Sequence, residues 1–122
     1  PKRVLLIGGY LLACAVALVL HEAAHYVVHA RYATSVSVGV NWLGPYVDAV
    51  YEPSTPTLAA RVGSVAPTLL YTPLVALGIA GYLSANSIPQ LELVEWSYVI
   101  VPLVLLITPT QADLRGVLVT SQ

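Results

Sequence analysis

The chain has 122 residues, enough for one domain, and is 57% hydrophobic but only 9% charged. Soluble domains carry about 25% charged residues, so much of this surface is expected to meet lipid. A net charge of −1 with five Lys+Arg excludes the basic footprint of a nucleic-acid partner, and the single Cys14 excludes an internal disulfide and any multi-Cys zinc module. There is no Met, even at position 1, and the chain is read as an internal or processed piece.

Lys2 and Arg3 precede an uncharged run, "VLLIGGYLLACAVALVL", residues 4–20. No small-x-small cleavage site follows it and the apolar character continues, so it reads as a retained transmembrane helix over about 4–28 rather than a signal peptide. Next comes "TSVSVGVNWLGPYVDAVYEPSTP". Val36, Val38, Val40 and Trp42 alternate with Ser35, Ser37, Gly39 and Asn41, which is a strand signal of period two. Gly44-Pro45 marks a turn and "YVDAVYE" pairs back, giving a β-hairpin over about 35–52 at the membrane surface.

A second span over about 58–83 begins with small residues. Ala59 and Gly63, and Ala60 and Ser64, each stand four apart, the spacing that lets helix backbones approach closely in lipid. Pro67 and Pro73 are expected to kink it against neighbouring helices. After the polar link "SANSIPQLEL", a third span over about 96–119 opens on the interfacial residues Trp96 and Tyr98, with Pro102 and Pro109 placed to bend or break it. The expected architecture is an all-α polytopic membrane protein, residues 1–122 forming one unit of three transmembrane helices with a membrane-associated β-hairpin between the first two.

The chemistry lies in "LVLHEAAHYVVHARY". His21 and His25, four apart on a helix, project from one face and can share one ion. Glu22 is turned by about 100° from His21, placed to reach a water at that ion without ligating it. Two His ligands and a Glu base are the division of labour of a zinc hydrolase. Ionisable groups inside an apolar span are functional candidates by default. The competing reading has the three residues snorkelling at the membrane edge.

A catalytic zinc commonly has three protein ligands. The candidates for the third are His29, Asp48, Glu52, Glu92, Glu95 and Asp113. His29 lies eight residues, about 12 Å, from His21, and reads better as an interfacial His near Arg31 and Tyr32. Asp48 and Glu52 fall in the hairpin, Glu92 and Glu95 near the opposite surface. Asp113 comes seventeen residues after Trp96, as His21 comes seventeen after Val4. Spans one and three run the same way, so both groups reach about 25 Å into the core, near one surface. The competing reading of Asp113 is a cap on a short helix after Pro109, or a pair with Arg115.

"HEAAH" on the first span, a Pro-containing second span after a hairpin and an Asp near the end of the third resemble the site-2 protease family of intramembrane zinc metalloproteases. The resemblance covers about 4–119. It implies His21, His25 and Asp113 as zinc ligands, Glu22 as catalytic base and a transmembrane protein or peptide as substrate, hydrolysed within the bilayer. It also implies a multi-pass protein whose metal site lies near the cytoplasmic surface. Two departures mark a divergent branch. The Asp stands in "ADLRG" rather than Leu-Asp-Gly, and the second span reads "APTLL" with Leu70 where the family often has Asn. For an oxyanion donor Arg115, Asn41 and Thr68 are candidates, each with packing or the interface as its favoured role. The rival readings are a non-catalytic metal-binding membrane protein, for storage or transport, and a b-type haem protein. The latter usually needs His residues facing each other from different helices.

Overall fold

The computed structural model describes residues 1–42 and 44–114. The chain runs α1 (Lys2–Tyr32), β1 (Ser35–Asn41), β2 (Gly44–Val50), α2 (Thr57–Ser64), α3 (Ala66–Ala85) and α4 (Leu93–Ile107). A further helical turn follows at 111–114. Three helical stretches are long and apolar enough to cross a membrane: Lys2–Tyr32, Ala66–Ala85 and Leu93–Leu114.

Helix α1 is the axis of the fold, and every other element except the links packs against it. Its buried residues are Ala17, His21, Ala24, His25 and His29, a stripe at spacings of three and four that lies on one face. Outside that stripe the helix shows large apolar side chains, with Val4 and Leu5 more than 70% exposed. The described core is thus alanines and histidines, and the outside is valine and leucine. A water-soluble domain buries valine and leucine in preference to histidine.

The second span is not one kinked helix. It breaks at Val65 (φ −116°, ψ 15°) into α2 and α3. Pro67 falls in the first turn of α3, where a missing N–H breaks no helical bond. Pro73, expected to kink the span, sits inside the continuous α3. Ala60 and Gly63 are buried, as the small-residue pattern implies, and α2 packs on α1 through them. In the third span Pro102 lies within α4, whereas Pro109 ends it: Thr108, the residue before it, is extended (φ −71°, ψ 127°). Proline forces that on its predecessor.

The hairpin pairs Ser35 with Val50 through to Asn41 with Gly44 in antiparallel register. Gly44 and Pro45, read from sequence as the turn, are instead the first residues of β2. Gly44 has φ +122°, a backbone that L side chains rarely adopt. Pro45 is opposite Val40, at a position whose nitrogen points away from β1, so its missing N–H removes no ladder bond. The valine face does not cover a core, since Val38, Val40 and Trp42 are 61%, 79% and 91% exposed.

Candidate metal centre

The site forms where α1 meets the broken ends of α2 and α4. His21 and His25 stand one turn apart on α1, both almost fully buried. His21, Glu22 and His25 each bring a ligand atom within 4.8 Å of the others, and this group can hold a metal ion.

The ring orientations follow from where the other helices stop. A helix leaves its last carbonyls without partners. Gly63 is the next-to-last residue of α2, and its carbonyl accepts from His25 Nδ1–H at 2.7 Å. Leu106 is the next-to-last residue of α4, and its carbonyl accepts from His21 Nδ1–H at 3.0 Å. The same end is tied down once more, by Thr68 donating to Ile107 C=O at 2.6 Å. Tyr71 on α3 donates to Leu20 C=O of α1, beside His21, at 2.6 Å. Each imidazole thus commits Nδ1–H to a backbone carbonyl and turns Nε2 inward, a lone pair when the ring is neutral. This carbonyl-fixed tautomer is the usual outer shell of a metal-ligating histidine.

Asp113 lies between the two lone pairs. Its Oδ1 is 3.1 Å from His25 Nε2 and its Oδ2 3.3 Å from His21 Nε2. Ligand atoms around a four-coordinate ion with bonds of about 2.0–2.1 Å stand roughly 3.3 Å apart. His25 Nε2, buried and close enough to Asp113, is not aligned for a hydrogen bond and makes none among the described residues. Two Nε2 atoms and a carboxylate this close need positive charge among them. It is either a proton, as in the His21 Nε2–Asp113 Oδ2 hydrogen bond at 3.3 Å, or a metal ion. The residues present fit a metal ion.

Asp113 is itself held. It accepts from Thr110 N–H at 2.8 Å, and its own N–H donates to Thr110 Oγ1 at 3.2 Å. The capping role set against a metal role at the sequence level is thus present, and it aims the carboxylate at the histidines rather than away from them.

Glu22 is half-buried on the adjacent face and shared by two cavities. One, of about 270 Å³, also takes in His25, His29, Tyr51, Asp48 and Asp113. The other, of about 460 Å³, is apolar apart from Glu22 and the phenols of Tyr26 and Tyr46. Val47 lines both cavities beside Glu22.

The remaining candidates are elsewhere. Glu92 and Glu95 line a cavity with Arg3 and Tyr98 at the N-terminal end of α1. Glu52 accepts from Ser54 on the exposed link after β2. Thr68 has its proton committed to Ile107, Asn41 sits at the hairpin tip, and Arg115 lies outside the described residues. His29, expected at the interface, is buried instead. It is hydrogen-bonded to Tyr51 and stacked beside His25. Tyr51 and the carbonyls of Gly63 and Leu106 were not foreseen from sequence. The signal for Gly63 was present in Pro67, four residues on.

No protein-family model, curated protein or solved structure matches the chain. The functional reading stands on the chemistry of the site.

Proposed function

We propose that this chain is an intramembrane zinc metalloprotease of the site-2 protease type, cutting peptide bonds of membrane-spanning substrates. The observation that carries it is the convergence of two buried Nε2 atoms and the partly buried Asp113 carboxylate, beside a carboxylate that opens on two cavities. His21, His25 and Asp113 hold the zinc. Asp113 serves as the third ligand rather than Glu22 because its two oxygens face the two Nε2 atoms at 3.1 and 3.3 Å. Glu22 is left free to act as base.

Zinc, when bound, supplies Lewis acidity toward a carbonyl and a water. The chain's own residues do the rest. Glu22 takes a proton from the attacking water and hands it to the departing amine. A helical substrate must unwind before its carbonyls are accessible, and the hairpin's strand edges can hold an unwound segment by β-addition.

Membrane insertion is part of the proposal. Its support is the three apolar helices and an exterior of valine and leucine around a core of alanine and histidine. Storage or transport of metal gains no comparable support, since the described residues form one such ligand group and no chain of them.

The test is purified protein in detergent, assayed for bound zinc and for cleavage of transmembrane peptides. Glu22→Gln is expected to keep zinc and lose hydrolysis; His21→Ala and His25→Ala are expected to lose zinc. Undiminished cleavage by Glu22→Gln would overturn the mechanism.

A further inference from the structure

His29 has no part in the chemistry so far, yet it is buried to 8% exposure within one turn of a proposed ligand. Burying an imidazole costs free energy unless its nitrogens find partners. Here Nδ1 is bonded to the Tyr51 hydroxyl at 2.5 Å. Burial pushes the Tyr51 phenol above its ordinary pKa, so it keeps its proton and can donate to Nδ1 or accept from Nδ1–H according to the tautomer. The His29 ring runs nearly parallel to that of His25, 11° between planes and 5.9 Å between centroids, an offset-stacked arrangement.

His29 is confined on a second side by Gly63. A Cβ there would come within 2.6 Å of His29 Cε1 and 2.7 Å of its Nδ1. The same Gly63 gives its carbonyl to His25. Two imidazoles and one glycine thus form a single packed unit, and Tyr51, the residue after β2, closes it from the hairpin side.

The unit has a mechanical consequence for the ligand. The bond from Nδ1 to Gly63 fixes one edge of the His25 ring, and the His21 ring stands edge-on on one side, 5.1 Å between centroids. Its swing about that contact is left to be limited from the other side. A flat ring alongside, itself anchored, removes the swing. We propose that His29 and Tyr51 are a positioning pair that holds the His25 ring at the angle the metal centre needs, Tyr51 acting through His29. This rests on the metal-binding reading above. His29 is not a further ligand, because its ring is stacked beside His25 and its Nδ1 is committed to Tyr51.

The experiment measures zinc affinity by chelator competition, and the visible absorption bands of the cobalt(II)-loaded protein, on the full chain in detergent micelles. The variants are Tyr51→Phe, His29→Leu, the two together, and His29→Phe. Thermal unfolding is followed alongside. Removal of outer-shell partners typically weakens metal binding about 10–100-fold, and His29→Leu is expected in that range with shifted cobalt bands. Tyr51→Phe, which loses one oxygen and no packing, is expected to lose less. The double variant should match His29→Leu alone, since groups acting in series are not additive. His29→Phe, which keeps a flat ring, should recover part of the loss. Variants that lower the unfolding temperature but keep wild-type affinity and cobalt bands would reduce the pair to packing and overturn the proposal. Additive losses would overturn the series relationship. A wild-type chain that binds neither metal would instead bring down the metal-centre reading, and this inference with it.

Discussion

Pro67 stands four residues after Gly63 and cannot donate the backbone hydrogen bond that the Gly63 carbonyl would receive in an unbroken helix. His25 Nδ1–H occupies that vacancy at 2.7 Å. A helix break that looks like a packing irregularity is therefore what orients a proposed ligand. The other side of the site follows the same logic. Pro109 ends α4 and Thr110 N–H turns to Asp113, so the Leu106 carbonyl is left for His21.

Pro67→Ala tests this directly. Residue 67 would regain an N–H and compete with His25 for Gly63 C=O, loosening the ring. The expected result is zinc binding weakened up to about tenfold, at the mild end of outer-shell effects, with the fold retained because alanine suits a helix. Unchanged affinity would show that the freed carbonyl does not matter.

Asp113 carries two roles that substitution can separate. Asparagine keeps a cap acceptor but loses the charge, so Asp113→Asn should weaken zinc binding at least tenfold while the turn at 111–114 stays formed. Thr110→Val removes the hydroxyl that receives Asp113 N–H and should weaken zinc binding less. The same Asn or Gln change at Asp48, Glu52, Glu92 or Glu95 should leave affinity nearly unchanged. Chelator titrations across the set decide it; a loss at Glu92 or Glu95, which line a cavity at the other end of α1, would sink the assignment.

These cases also show what a sequence carries and what it hides. The three long apolar helices and the hairpin are local patterns, period 3.6 or 2, and they are legible. That His21 and Asp113 lie together follows from counting rises along two helices running the same way. The break at Val65 was misplaced onto the prolines because Pro67 sits two residues inside the new helix, where proline is tolerated. The turn was misplaced because Gly44 and Pro45 signal a bend without saying which strand holds them. The burial of His29 was hidden for a different reason. It depends on Tyr51, 22 residues away, and on the missing side chain of Gly63. Backbone acceptors such as Leu106 C=O carry no letter of their own.

Gly44 gives a prediction about the hairpin alone. With φ +122°, a Cβ there is strained, at a cost on the order of 1–3 kcal/mol. Gly44→Ala should loosen the hairpin, read as faster backbone amide exchange over 35–50, while zinc affinity stays within about twofold. Amide exchange unchanged from wild type would show the turn to be tolerant.

The last prediction concerns which way the chain faces. Lys and Arg favour the cytoplasmic side of a membrane. Arg31 lies in the last turn of α1 and Arg61 in α2, both at the end that carries the hairpin and the metal centre. By sequence Arg115 follows Asp113 there. Lys2 and Arg3 begin α1 at the opposite end, where Arg3 lines a cavity with Glu92 and Glu95. Three basic residues stand against two. The proposed function agrees with this orientation. The hairpin is therefore predicted to be cytoplasmic, and the link between α3 and α4 to face the other side. Ser54 and Asn86 are both exposed, one on each side, so single cysteines there in a Cys14→Ser background report the topology. In intact cells a membrane-impermeant thiol reagent should label position 86 and spare position 54, and the opposite pattern would show that the protein is inserted the other way round.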